Sequence, residues 1–447
     1  MASAAEQLAA NINFSAFGKA PELKKRLWFT LGALVIYRLG TFIPIPGVDP
    51  QILAEIFAQQ SGGILGIFDM FAGGALGRMT IFALNIMPYI SAAIIMQLMT
   101  AVSPTLEALK KEGEAGRKKI NQYTRYGTVA LAALQSYGIA VGLESTTGSG
   151  GSAVIDPGLF FRLTTVITLT GGTIFLMWLG EQITQRGVGN GISLIIFAGI
   201  VANLPLALVQ VLELGRTGVF SAIFIVALLL GAIAVVAFIV FIERAQRRIV
   251  VQYPKRQVGN KMFGGEASHL PLKLNPSGVI PVIFASSLLL MPATISGFSG
   301  TGGPAWLGWV EAYLGQGQPL FLALYAGMII FFAFFYSSIV FNPDDTAENL
   351  KKNGGFIPGI RPGKNTGDYL RHIMVRLGTV GAIYLALVAM MPEVLRTQYA
   401  VPFYFGGTSL LIVVTVTMDT VGQIHAHLLA HQYEGLIKKS KLKGRRG

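Results

Sequence analysis

Phe220-Ser-Ala-Ile-Phe-Ile-Val-Ala-Leu-Leu-Leu-Gly-Ala-Ile-Ala-Val-Val-Ala-Phe-Ile-Val-Phe-Ile242 contains no charged side chain, and charge resumes at once on either side with Arg216 and Glu243-Arg244. A helix rising about 1.5 Å per residue needs about 20 apolar residues to cross the hydrocarbon core of a bilayer, and this run meets that length. Its pattern recurs along the chain. Ten runs are found, near Leu27–Ile45, Met79–Val102, Tyr123–Leu143, Leu159–Leu179, Ile192–Leu212, Phe220–Ile242, Val279–Ile295, Leu320–Phe341, Met374–Met391 and Phe403–Ile424. The Val279 and Met374 runs are the shortest. Gln135 and Ser136 interrupt the third, and Asn203 and Pro205 the fifth, which suits helices packed against protein more than lipid.

The whole composition agrees. Of 447 residues, 52% are hydrophobic and 13% charged, with a mean hydropathy of +0.58; soluble proteins carry about 25% charged residues. Lipid is therefore expected to be the main solvent. The chain has no Cys, which removes disulfides, thiol catalysis and Cys-ligated metals. Polar residues separate Met1 from the first apolar run and no small-residue cleavage site follows, so no cleavable signal peptide is expected.

Short basic loops stay in the cytoplasm. The N-tail, residues 102–121, Arg186, 243–277, 342–370 and the C-tail together hold 27 Lys and Arg, against two, Arg216 and Arg396, in the alternate loops. Both termini are accordingly expected in the cytoplasm. The opposite loops, 44–77, 142–158 and 296–317, have no Lys or Arg and are rich in Gly, Pro and Ser. The first of them holds a second apolar stretch, Ile64-Leu-Gly-Ile-Phe-Asp-Met-Phe-Ala72, too short to span and therefore re-entrant or surface-lying.

Five runs precede Glu213 and five follow it. An odd number per half makes the second half enter from the opposite side, the geometry of an inverted repeat about an in-plane axis. The expectation rests on count alone, since the halves share no visible residue-level similarity. It gives an all-α membrane protein of ten transmembrane helices in two five-helix halves, a clamshell. The parts are a cytoplasmic tail 1–26, a first half 27–212 with the short segment 61–77, a second half 213–424 with loops 243–277 and 342–370, and a basic tail 425–447.

Catalytic patterns are missing. Pro358-Gly-Ile-Arg-Pro-Gly-Lys364 lacks the first Gly of a phosphate-cradling loop and is followed by Asn365. His427 and His431 have a zinc-compatible i, i+4 spacing beside His425, but without an acidic ligand motif they read as interfacial or solvated. Gly148-Ser-Gly-Gly-Ser152 is not a nucleophile elbow. No enzyme, metal or cofactor is expected. Ion-coupled transporters keep counter-charges near the bilayer midplane, whereas Arg38, Arg78, Arg125, Arg162, Glu181 and Asp419 show no obvious central placement. A secondary transporter of a small solute remains the alternative.

Two cytoplasmic loops look structured. Arg247-Arg-Ile-Val-Val-Gln-Tyr253 reads as one arm of a β-hairpin. In 342–370 a short helix is expected to begin at Asp345, with Glu348 three residues on, and to end at Gly354-Gly355; the rigid loop Phe356-Ile-Pro-Gly-Ile-Arg-Pro-Gly363 follows. Retention in the cytoplasm needs charge and does not need Gly-Ile-Arg-Pro-Gly, so partner docking is the preferred reading. The C-tail, Lys438–Arg446, has the charge for an RNA or lipid contact.

Ten segments carry a family resemblance, in order: Phe42-Ile-Pro-Ile-Pro-Gly47, Phe71-Ala-Gly-Gly-Ala-Leu76, Ile86-Met-Pro-Tyr-Ile-Ser91, Lys110-Lys-Glu-Gly-Glu114, Asn121-Gln-Tyr-Thr-Arg-Tyr-Gly127, Met177-Trp-Leu-Gly-Glu-Gln-Ile-Thr184, Gly189-Asn-Gly-Ile-Ser193, Glu243-Arg-Ala-Gln-Arg-Arg-Ile249, Gly359-Ile-Arg-Pro-Gly363 and Val401-Pro-Phe-Tyr-Phe-Gly-Gly-Thr-Ser-Leu-Leu-Ile412. From about Lys19 to the C-tail the chain resembles the SecY/Sec61-alpha family, whose bacterial members are channel subunits of the Sec protein translocase. That resemblance implies a protein-conducting channel in the cell inner membrane, which passes unfolded secretory chains and releases transmembrane segments sideways into lipid.

It also implies residue roles. Ile86, Ile90, Ile192, Ile196, Ile283 and Ile412 match an apolar pore ring, although the same isoleucines read without the resemblance as ordinary helix core. Ile64, Leu65, Ile67, Phe68, Met70 and Phe71 match the plug. Ser91, Gln97, Ser286 and Ser287 match polar positions at a lateral gate between the second and seventh spans. Arg247, Arg248, Lys255, Arg256 and Arg361 match loops that receive the ATPase SecA or the ribosome, with Arg361 at the family's key position. The small helical subunits SecE and SecG, secretory and membrane-protein precursors and membrane lipid complete the implied partners, with no small-molecule cofactor.

Overall fold

Ala222–Arg244 forms one helix, opened by Ser221, whose Oγ accepts from Phe224 N at 3.2 Å. Its large side chains stay uncovered: Ile223 is 82% exposed, Ile233 65% and Phe241 71%. A helix apolar on every side that buries almost nothing against its own chain is stable only in lipid. This computed structural model describes residues 21–60, 69, 71–145, 147–148, 151–254, 256–258, 261–263, 267–298, 318–399 and 407–443.

In chain order the helices are α1 (Pro21–Gly40), α2 (Pro50–Gln60), α3 (Met87–Val102), α4 (Pro104–Lys111), α5 (Glu114–Ser145), α6 (Leu159–Arg186), α7 (Gly191–Arg216), α8 (Ala222–Arg244), α9 (Ile280–Phe298), α10 (Pro319–Val340), α11 (Pro343–Lys352), α12 (Lys364–Tyr399) and α13 (Gly407–Lys443). The strands are β1 (Thr147–Gly148), β2 (Gly151–Ser152), β3 (Gln246–Gln252), β4 (Arg256–Val258), β5 (Lys261–Phe263) and β6 (Ala267–Lys273), paired antiparallel as β1 with β2, β3 with β6 and β4 with β5. Among the described residues seven helices are long and apolar enough to cross a membrane, or eight if α3 and α4, bent by 98°, make one broken span. Helices α1 and α9 overlap the other two expected runs.

The second span starts later than its hydropathy predicts. Residues 79–86 are buried turns, and the helix begins only at Met87, with Pro88 in its first turn. Met79 and Asn85 adopt φ of 43° and 48°, outside helical space. The Asn85 side chain holds this conformation by donating Nδ2 to Phe71 O at 2.6 Å. A hydropathy window registers the apolar content of Met79–Leu84 and is blind to that bond.

The chain divides into two compact units. One holds Met1–Leu206, Leu290–Ala312 and Val416–Gly447; the other holds Ala207–Leu289 and Tyr313–Thr415. In the first, α5 packs on α3 and α6, and α1 packs on α6. In the second, α10 and α11 pack on α12 and β3 pairs with β6.

Candidate functional site

In the first unit, the later part of the short segment 61–77 is tied down from several sides. Arg38 donates to Gly73 O at 2.7 Å and Arg78 to the same oxygen at 3.2 Å, while both guanidiniums lie over the Phe42 ring, 4.9 and 4.3 Å from its centre. Asp69 Oδ1 accepts from Gly77 N at 2.7 Å. Gly73, at φ 68°, needs its missing side chain, because a Cβ would come 3.0 Å from Gly199 Cα of α7. Phe71 is buried at the start of this segment; Ile64, Leu65, Ile67, Phe68 and Met70 lie outside the described residues.

Ile86 and Ile90 stand one turn apart at the start of α3, joined by Ile90 N to Ile86 O at 3.1 Å, and both are buried. Ile192 and Ile196 have the same spacing at the start of α7, Ile196 buried and Ile192 half-buried. The turn that aims α7 is fixed by distant parts of the same unit. Thr30 Oγ1 accepts from Val188 N at 3.0 Å, Gln423 Oε1 accepts from Gly189 N at 2.9 Å, and Leu23, Val188 and Leu428 close a small core around it. Ile283 and Ile412 belong to the second unit and are buried there.

The expected gate residues are on helices too. Ser91 is buried on α3, and Gln97 is half-buried one side further along, its Oε1 enclosed without a hydrogen-bond partner among the described residues. Ser286 and Ser287 both donate to Ile283 O, at 2.9 and 2.7 Å. Their own helix thus receives their hydroxyl protons, and the side chains are buried.

The two basic loops of the second unit form a single module. The β3–β6 ladder runs from Gln246 opposite Lys273 to Gln252 opposite Ala267, and β4–β5 continues the hairpin. Gln252 then pairs with Phe356 of the other loop, through N–H···O bonds of 2.9 and 3.0 Å. Ile249, Val251 and Leu272 of the hairpin share a core with Ile357 of that loop and with Leu370, Ile373 and Met374 of α12. Arg247 and Arg248 project from β3 as exposed residues. Arg256 lies on β4, and Lys255 falls outside the described residues. Helix α11 begins two residues earlier than its acidic residues predict, because Asn342 Oδ1 accepts from Asp344 N at 3.1 Å and Pro343 occupies the first helical position. The exposed Arg361 sits in a turn whose shape is held by Thr366 Oγ1 donating to Arg361 O at 2.9 Å.

The two loops thus make one module with its own core, set on membrane helices and showing an exposed arginine at a rigid turn. The SecY family model matches residues 80–421. The chain belongs to the SecY family. The protein translocase subunit SecY of Escherichia coli (strain K12) is 55% identical over 431 residues, 96% of this chain and 97% of the relative. A solved structure described as a protein conducting channel superposes with a TM-score of 0.64 at 19% identity, over 90% of this chain and 92% of that one. Sec61 in a canine ribosome-channel complex from the endoplasmic reticulum gives 0.60 at 18%, over 90% and 92%. Membership of the SecY family and the apolar helices make this a multi-pass membrane protein. Sequence reading missed the Gln252–Phe356 bridge, the Arg38–Arg78 pair on Gly73 and the late start of α3; for the last, Pro88, a residue suited to a first helical turn, was a weak local signal.

Proposed function

We propose that this chain is the protein-conducting channel through which unfolded secretory polypeptides cross the bacterial inner membrane, with release of transmembrane segments sideways into lipid. The observation that carries the reading is the 55% identity to a protein translocase subunit across 96% of the chain. Both termini face the cytoplasm, as the 27-to-two distribution of Lys and Arg demands. Ten spans in two inverted halves enclose the path. Its constriction is the six isoleucines, its outer stopper the segment around Ile64–Phe71, and its side exit lies beside Ser91, Gln97, Ser286 and Ser287. The chain performs no covalent chemistry of its own; the ATPase SecA or a translating ribosome supplies the drive at Arg247, Arg248, Lys255, Arg256 and Arg361. SecE and SecG complete the assembly. Placing a photo-crosslinking residue at position 90 or 283 and stalling a secretory precursor in transit tests this. Adducts at both positions are expected. A solute transporter would give none and would move a small solute when reconstituted alone.

A further inference from the structure

The root of the cytoplasmic hairpin is built differently from its shaft. Regular pairing ends at Gln246 opposite Lys273, and one further bond, Leu274 N to Ala245 O at 2.9 Å, closes the ladder. Next comes Asn275, 2% exposed, with its whole carboxamide engaged. Its Nδ2 donates to Glu243 Oε1 at 2.7 Å and to Gly278 O at 3.0 Å, and its Oδ1 accepts from Ser277 Oγ at 2.9 Å. Glu243 is itself buried, in the last turn of α8. That is the negative end of the helix dipole, where a carboxylate is unfavourable and a basic residue is preferred. A local rule is broken here, and the Asn275 amide on the far arm of the hairpin answers the misplaced charge with a charge-assisted bond.

We propose that Glu243 and Asn275 form a joint coupling the docking hairpin to α9, and that Asn275 is a positioning residue for the pore-facing end of that helix. The inference rests on reading the hairpin as a docking arm and Ile283 as a pore residue. One tight turn, with Gly278 at φ 61°, separates Asn275 from α9. Ile283 N donates to Val279 O at 3.3 Å, and Ile283 O receives both serine hydroxyls, so the first turns of α9 move together. The turn has a wall behind it, since a Cβ on Gly381 of α12 would lie 3.0 Å from Leu274 O. Phe284 packs edge-on against Phe332 of α10, ring centres 5.8 Å apart. A buried amide with both polar atoms engaged has little slack to absorb a shift of the ribbon. Displacing the hairpin either carries the start of α9 with it or breaks the bond to Glu243.

The test uses the full complex in proteoliposomes, with a purified cytosolic motor ATPase and a secretory precursor. Folded channel, motor affinity and translocation rate are measured together. Asn275→Ala is expected to cut translocation at saturating motor about tenfold while motor affinity stays within about twofold, and Glu243→Leu with Asn275→Ala to be no worse than the poorer single variant. Glu243→Gln should retain most activity, because an amide oxygen still accepts from Asn275 Nδ2. Normal translocation by Asn275→Ala overturns the joint, as does a loss that follows reduced folding or reduced motor binding, or additive losses in the double variant. Arg361→Glu is run beside them: if it too translocates normally, the docking reading falls, and if it fails while Asn275→Ala works, the joint alone falls.

Discussion

Gly171 and Gly172 are neighbours on α6 with opposite surroundings. A Cβ on Gly171 would meet nothing within 4 Å among the described residues, whereas one on Gly172 would overlap Ile81 O, a backbone atom that cannot swing away. Gly172→Ala is expected to destabilise the channel by about 1–3 kcal/mol through overpacking. Gly171→Ala should leave it unchanged or raise it by up to about 1 kcal/mol through helix propensity. Thermal unfolding in detergent, followed by loss of monodisperse protein, ranks the two; equal stability would remove the close approach of α6 to Ile81. Arg361 presents the contrary case, a residue whose removal spares the fold. Its side chain is exposed in a turn held by a backbone contact, so Arg361→Glu should keep folded protein within about 1 kcal/mol of wild type. The planar donor fork offered to an acidic partner becomes repulsive on reversal, and motor-driven precursor transport should fall at least about tenfold. Import into inverted vesicles measures it, and undiminished transport would count against docking at this turn.

The hairpin β3–β6 and helix α11 are cytoplasmic elements on the charge reading, and their orientation is testable apart from any activity. A cysteine introduced at Gln246, Ser268 or Lys351 in this Cys-free chain should react with a membrane-impermeant maleimide only from the cytoplasmic side. Reaction of the hairpin positions from outside would overturn the whole topology. The arm Arg247–Tyr253 was legible in the sequence because β-branched residues and alternation are local properties; β3 buries Ile249 and Val251 and exposes their neighbours. The start of α3 was not legible, because Asn85 takes its geometry from Phe71, fourteen residues back. The cap of α11 was a different miss, since Asn342 followed by Pro343 is a local start signal that lies in plain sight two residues before the acidic cluster.

At the scale of the whole molecule, of the six isoleucines proposed as a pore ring, Ile86, Ile90, Ile192 and Ile196 belong to one compact unit and Ile283 and Ile412 to the other. A narrow apolar ring dewets and raises the barrier to hydrated ions, while binding no peptide group strongly. Replacing Ile86, Ile90, Ile283 and Ile412 with Ser should raise resting ion conductance and loosen discrimination against weak signal sequences, with translocation largely kept. If these side chains serve only as core, each truncation should cost about 0.5–5 kcal/mol and lower the amount of folded protein without a specific leak. Single-channel recording beside quantification of folded channel separates the outcomes, and unaltered conductance with lowered abundance would sink the ring. The sequence by itself determined that lipid is the solvent, where the apolar runs lie, which loops carry the basic charge and which family motifs the chain holds, since each is a property of a short window or of composition. The tertiary structure decided how Gln252 joins Phe356 to fuse two basic loops, how Arg38 and Arg78 meet on Gly73, and how Asn275 answers Glu243. Those contacts pair groups far apart in the chain, and only burial, which makes an unpartnered polar group expensive, selects which distant residues must meet.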